Sequence, residues 1–404
     1  MPRAHRDQTM SEQLARGPVD LPFLLLTVLL TVIGLIMVLS ASSPSAYYDT
    51  KGTGSNPAYY FIRQGIFAAA GIVAMYIISK MNYQTFRWIS IFVLGASIIL
   101  LLLVFVPGIG VVRNSARRWI ELGPIQFQPS ETAKVGIVLY FASRLSKRDG
   151  YVFKPKAETG VLERTYNWLG RIGFLELVPY GAVLVMVCGL MARQPHLSGI
   201  IIIMVIAASI LFSGGIKWRW FLLVGALAGV VLALYILSHP YMMERIVSSS
   251  DPWEDPRGTG YQLTQSLMAI GSGGLTGVGL GKSRQKFMFL PEEHNDFIFS
   301  IICEELGLVG ACVIIILFML LFLRGYWIAL HARDRFGSLL VVGVISQLAM
   351  QVFFNIGVVT GLLPTTGISL PLFSYGGTAL MVQLAEMGII LSVSRQVPPR
   401  RNAE

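Results

Sequence analysis

Residues 281–297, GKSRQKFMFLPEEHNDF, set Lys282, Arg284 and Lys286 ahead of His294 and Asp296 and then run into a long apolar segment. Asp296 therefore falls where a helix N-terminus meets a bilayer, and desolvation, nearby cations and the helix dipole all act on its carboxyl group. Ionisable groups at such a depth are usually functional. A carboxylate placed this way can act as a general base, and cations around it can hold an anion whose charge grows as a bond breaks. A second anomaly is NSARRW at 114–119, which puts Arg117 and Arg118 beside Trp119 in a short connection between apolar runs. Arginine forks and mobile lysines around one cavity suit a pyrophosphate. The plainer reading is that the arginines snorkel to lipid headgroups and Trp119 joins an interfacial aromatic belt.

Arg63, Glu131, Lys134, Glu304, Glu305 and Glu386 lie within or at the ends of apolar runs. An unpaired charge there costs about 3 kcal/mol or more, so each demands a partner. Glu131 and Lys134, three residues apart, can pair on one helix face. Asp296, Ser300 and Glu304 stack on one face of the following helix. Structural ion pairs explain Glu131, Lys134 and Glu304 as well as catalysis does, and Arg63 is a candidate counter-ion for Asp296. The run GVGLGKS at 277–283 nearly matches a phosphate-binding P-loop. Thr276, however, occupies the first required glycine position and no strand precedes it, so no nucleotide site is expected. Its glycines are read either as turns with positive φ or as backbone donors to a substrate phosphate.

The chain carrying these groups has 404 residues, 54% hydrophobic and only 13% charged, a composition that excludes an ordinary soluble domain. Ten apolar runs are long enough to be candidate spans: 22–42, 59–80, 86–107, 130–145, 175–193, 198–214, 219–238, 296–325, 339–360 and 378–395. They lack the alternation of barrel strands, so the expected fold is an all-α integral membrane bundle of about ten helices. With the N-terminus in the cytoplasm, cytoplasmic segments hold 20 basic residues and external ones 10, which places both termini inside. The expected organisation is a tail at 1–21, one transmembrane domain at 22–395 with an external loop at 239–295, and a tail at 396–404. Within that loop, 261–270 can form a short amphipathic helix, whereas 144–174 reads as a solvated cytoplasmic connector. Gly343, Ser346, Gln347 and Gln351 in the ninth run offer a stripe for docking a single-pass partner. Cys188, Cys303 and Cys312 all sit in spans, without metal or disulfide spacing. The net charge of +10 is mostly the topogenic bias, and no basic face interleaved with aromatics points to nucleic acid.

Several motifs, taken together, resemble the SEDS (shape, elongation, division and sporulation) family, the FtsW/RodA/SpoVE group, over nearly all of residues 20–397. They are RQ at 63–64, NSARRW at 114–119, QPSETAK at 128–134, GYQLTQSLMAIGSGG at 260–274, LPEEHNDFIF at 290–299, EELG at 304–307 and GLLPTTGISLPLFSYGG at 361–377. The resemblance implies a ten-helix peptidoglycan glycosyltransferase of the cytoplasmic membrane that polymerises lipid II on its external side. It also implies a class B penicillin-binding protein that cross-links the product, other division proteins as partners, and Asp296 as the essential aspartate. Segments 260–263 and 361–367 are closer to the division and sporulation branch, and hence to work at a septum. The chain departs from the family pattern at Ser115, commonly glycine, and at His196, often aspartate. On this reading Asp296 is catalytic, and Arg63, Arg117, Arg118, Trp119, Lys134, Lys282, Lys286 and His294 bind substrate. Glu131, Glu304 and Glu305 supply supporting ion pairs. No ligand cluster for a metal is evident, which leaves room only for a divalent cation, Mg or Mn, at the pyrophosphate. The rival functions are a flippase for the same lipid and a non-catalytic division scaffold. The concentration of polar groups at one membrane face favours the enzyme over alternating access.

Overall fold

The computed structural model describes residues 17–50, 52–113, 116–123, 125–148, 160–238, 243, 245 and 248–397. Lys51, Ser115 and most of both predicted tails lie outside the described residues. A helix lies over each of the ten predicted apolar runs. In chain order they are α1 Leu21–Tyr48, α2 Tyr59–Lys80, α3 Gln84–Leu103, α4 Pro129–Leu145, α6 Phe174–Ala192, α7 Leu197–Ser213, α8 Trp218–Ser238, α10 Ile298–Leu330, α11 Arg335–Val359 and α12 Thr378–Ser394. Among them α1, α2, α3, α6, α10 and α11 are long and apolar enough to cross a membrane. Two further helices are α5 Val161–Ile172 and α9 Tyr261–Gly273; α9 matches the amphipathic helix expected in the long loop. α5 corrects the reading of 144–174 as a mere connector.

Local chemistry sets the ends. Asp20 caps α1 by accepting from the Phe23 amide at 3.1 Å, and Asp334 caps α11 by accepting from the Gly337 amide at 3.0 Å. Pro129 opens α4, where its missing N–H costs nothing. α10 kinks at Gly307, whose φ of 67° only glycine adopts readily. There the turn at 274–279 docks on the kink: Val278 and Gly279 donate to the carbonyls of Glu304 and Glu305, both at 3.0 Å. The glycines of the P-loop lookalike are turn formers, with φ of 79° at Gly277, 103° at Gly279 and 79° at Gly281.

α11 is the most enclosed of the long apolar helices and packs on α4, α7, α10 and α12, while α2 packs on α12 and α3 on α4. The stripe predicted to dock a partner is therefore internal. A Cβ on Gly343 would lie 2.8 Å from both Ile210 and Val138, Ser346 meets the Tyr326 hydroxyl at 2.9 Å, and Gln347 donates to Glu386 at 2.8 Å. Polar side chains in an apolar helix turn to whichever side holds partners, and here that is the bundle interior. Outward faces carry large apolar side chains such as Ile66, Val73, Phe92, Leu227 and Leu323, each more than half exposed, as contact with lipid requires.

The two ends of the bundle differ. One holds both described terminal segments, tied by the Asp20–Arg324 ion pair at 2.7 Å and by Arg395 donating to the Gly17 carbonyl at 2.9 Å. The other holds α9, the segments 274–297 and 360–377, and a feature absent from the sequence reading. This is a three-stranded antiparallel sheet of β1 Gly110–Arg113, β2 Ala116–Leu122 and β3 Ile125–Phe127 in the order β1-β2-β3.

Candidate active site

Asp296 stands at the end opposite the termini, two residues before α10, on a backbone fixed by its neighbours. Asn355 of α11 donates to the carbonyls of Asp296 (2.7 Å) and Ile368 (2.8 Å). Ser374 Oγ donates to the Asn295 carbonyl and accepts from the Leu370 amide, both at 2.7 Å, and the Tyr375 amide donates to the His294 carbonyl at 2.9 Å. Gln64 of α2 binds the same 374–377 segment, giving a bond to the Ser374 carbonyl at 3.0 Å and accepting from the Gly377 amide at 3.0 Å. Below it, Ser300 shares a 2.7 Å hydrogen bond with Ser266 of α9. Four separate sequence motifs thus hold the backbone segment that carries Asp296. Gly367 gives it room, since a Cβ there would lie 3.1 Å from Asp296 Oδ2.

Asp296 as a residue is partly exposed, yet its carboxyl group is densely surrounded. Desolvation first, and the Glu292 carboxylate second, push its pKa up to about 7, against the opposing pull of Arg118, His294 and Arg245. Arg118 reaches this position through a β-bulge: Val111 faces Trp119 and Val112 faces Arg117, so Arg118 is the extra residue on β2. Its guanidinium donates to the carbonyls of Gln194, at 3.2 Å, and Pro195. Arg245 is held by the Thr365 carbonyl at 2.8 Å. Arg117 is exposed and Trp119 half-buried on the same sheet. His294 lies in an aromatic group with Tyr60, ring centroids 4.5 Å apart, and Tyr375, at 5.8 Å.

On the far side of Gly367 lies a cavity of about 30 Å³ lined by Ser130, Glu131, Lys134, His196, Gln351 and Gly367 among others. This is room for on the order of two waters, or one hydroxyl, and not for a sugar ring. Lys134 and Glu131 pair at 2.7 Å. Ser130 Oγ, His196 Nδ1 and Gln351 Oε1 are buried without a protein hydrogen-bond partner. Burial, then Arg118 and Lys134, lower the pKa of His196, which precedes α7, to about 3, so its imidazole is neutral.

Other predicted residues stand apart from this group. Arg63 is engaged by Tyr59, with its guanidinium 3.1 Å from the hydroxyl and 5.9 Å from the ring centroid; the arginines whose charge acts on Asp296 are Arg118 and Arg245. Lys286 is buried in an ion pair with Glu305 at 3.0 Å, and Glu305 also accepts from Ser40 at 2.6 Å. Glu304 accepts from the Ser283 hydroxyl and from the Arg284 amide at 2.9 Å. These two glutamates anchor the 283–286 turn to α10, and only Lys282 and Arg284 leave that turn exposed.

The residues that sequence reasoning missed are Arg245, Glu292, Asn355 and Gly367. Asn355 carried a signal, as a polar residue deep in an apolar run; Glu292 and Gly367 lie within motifs singled out above but had no role read for them, and the approach of Arg245 to Asp296 depends on the fold. Among the described residues, no group of three or more His, Cys, Asp or Glu is arranged to hold a metal ion.

The chain is 41% identical over 377 residues to stage V sporulation protein E of Bacillus subtilis (strain 168), spanning 93% of this chain and 97% of that one. It is 40% identical over 379 residues to a probable peptidoglycan glycosyltransferase FtsW of Geobacter metallireducens, spanning 94% and 95%. Among solved structures it is similar to a chain of a peptidoglycan synthase complex that coordinates polymerization and crosslinking, with a TM-score of 0.72, 28% identity and coverage of 93% and 98%. It is also similar to the rod shape determining protein RodA of Thermus thermophilus, with a TM-score of 0.65, 29% identity and coverage of 94% and 98%. A family model described as cell cycle protein, FtsW/RodA/SpoVE, matches residues 21–398, and the chain belongs to that family.

Proposed function

We propose that this protein is a peptidoglycan glycosyltransferase that polymerises lipid II, with Asp296 as the general base. All ten apolar helices cross the cytoplasmic membrane in this reading, with the terminus-bearing end inside and the Asp296 end outside, as the basic-residue bias favours. The observation that carries it is Asp296 on a backbone held by Asn355, Ser374 and Tyr375, where burial and Glu292 push its pKa up to about 7 against the pull of Arg118 and Arg245. A base with that pKa is ionised in part at neutral pH and strong enough to take a proton from a sugar hydroxyl.

In the reaction a hydroxyl of one saccharide attacks the anomeric carbon of a lipid-pyrophosphate donor. Asp296 receives the hydroxyl proton, the new glycosidic bond forms, and the bond from the anomeric carbon to the pyrophosphate oxygen breaks with its electron pair leaving on the pyrophosphate. Direct displacement inverts the anomeric centre and needs no second carboxylate. Arg118 and Arg245, together with the exposed Arg117 and Lys282, meet the charge of the departing undecaprenyl diphosphate. The acceptor ring lies at the exposed part of Asp296, and the small cavity beyond Gly367 takes water or one hydroxyl. Any Mg or Mn at the pyrophosphate is held mainly by the substrate, and chelation with EDTA tests for it.

The similar chain in a complex that coordinates polymerization and crosslinking supports a class B penicillin-binding protein as partner. The sporulation and FtsW relatives support work at a septum alongside other division proteins. The test is purified protein with lipid II in detergent, with and without the cognate transpeptidase. Glycan chains made by the intact protein support the enzyme; lipid II moved across vesicles without polymer would support a flippase.

A further inference from the structure

α5 has its amphipathicity turned inside out. At about 100° per residue, Thr165, Trp168, Leu169 and Ile172 share one face and Glu163 and Asn167 the opposite one. Asn167 of the polar face is 1% exposed, whereas Trp168 of the apolar face is 59% exposed. A surface helix on a water-soluble body does the reverse. α5 runs through Gly173, with a φ of 84°, into α6, and the Phe174 ring packs on Trp220 at 5.6 Å, which brings the end of α5 to the start of α8. There Trp218 is 65% exposed and Lys217 and Arg219 are exposed, as are Arg164 and Arg171 of α5. Directly beyond, α6 and α8 present outward apolar side chains such as Val178 and Leu222.

We propose that α5 is an interfacial helix that lies in the membrane leaflet at the terminus-bearing end, with the basic residues of α5 and of the α8 entry binding anionic phospholipid headgroups. Three observations support a lipid surface over a protein partner. The exposed apolar face of α5 leads through Phe174 and Trp220 to α6 and α8, whose Val178 and Leu222 are exposed. Exposed tryptophans sit on α5 (Trp168) and at the start of α8 (Trp218), residue types enriched at a membrane–water interface. The charges beside them are cationic, complementary to anionic headgroups.

The test uses the full chain in vesicles, with Cys188, Cys303 and Cys312 changed to Ala and a nitroxide attached at Thr165→Cys or, separately, Arg164→Cys. In phosphatidylglycerol-containing vesicles the label at 165 is expected to be open to oxygen and shielded from an aqueous nickel chelate, at a depth of about 5–10 Å below the phosphates. The label at 164 is expected to be open to the chelate. With Arg164→Gln and Arg171→Gln together, or in phosphatidylcholine alone, the label at 165 is expected to become shallower. A label at 165 as open to the chelate as that at 164, or shut off from both reagents by protein, overturns the interfacial placement, and equal depth in the two lipids overturns anionic recognition. On the chain with all its cysteines, Trp168→Phe should remove part of the tryptophan quenching by brominated lipid, and unchanged quenching counts against the placement independently.

Discussion

Asp296 is set by groups that pull its proton affinity in opposite directions, and each can be removed singly. With a pKa of about 7 raised by burial and by Glu292, a base that must be ionised gives a kcat/KM for polymerisation that rises with pH through about 7 and then levels. Glu292→Gln removes a raising influence, so the limb should move to lower pH; Arg118→Gln removes a lowering one, so the limb should move to higher pH while its plateau falls. A limb that stays in place in both variants would assign it to another group. Gly367→Ala tests position instead of charge. Its Cβ would stand 3.1 Å from Oδ2, and displacing a catalytic group by a fraction of an ångström is expected to lower kcat by roughly tenfold while the protein still folds. Asp296 stands out in the sequence because a carboxylate at the mouth of an apolar run is costly to keep there. Its neighbours do not, because Arg245 and Gly367 are 51 and 71 residues away in a sequence that says nothing of loop paths.

Helices and turns here owe their places to buried polar partners as much as to apolar faces. Lys286 and Glu305 are both almost fully buried and 3.0 Å apart. Lys286→Ala, which strands the glutamate, is expected to cost about 3–5 kcal/mol, read as a lower melting temperature in detergent. A normal melting temperature with weakened lipid II binding would return Lys286 to the substrate-binding set. Gly343→Leu should likewise lower thermal stability, by about 1–3 kcal/mol or more, because Ile210 and Val138 already fill the space a side chain would take. The ten helices were legible because long apolar runs have one way to satisfy their backbone in lipid. The sheet was not: its strands are four, seven and three residues long, too short for alternation to stand out, and its bulge at Arg118 breaks the period that remains. α5 was obscured for a different reason, since its polar Asn167 read as solvated and is in fact buried.

Among the described residues, Asp296, Arg118, Arg245, His294 and the polar cavity lined by Ser130, His196 and Gln351 gather at one end of an apolar bundle, the asymmetry expected of an enzyme taking a lipid-linked substrate from one leaflet. In the proposed orientation, which the arginine and lysine bias favours, that end is external, and the family relationship joins the chain to glycan synthesis. The most direct measurement is polymerisation of lipid II by purified Asp296→Asn protein beside the unaltered protein, each with its transpeptidase partner. Asparagine keeps the shape and can still precede a helix, yet has no basic oxygen. General-base catalysis by Asp296 predicts normal expression, folding and partner binding with glycan polymerisation abolished. Asp296→Glu should retain little activity, because a shift of about 1 Å can cost on the order of a hundredfold. Polymer formed by Asp296→Asn at an undiminished rate would contradict that role and leave Asp296 a structural residue at the head of α10.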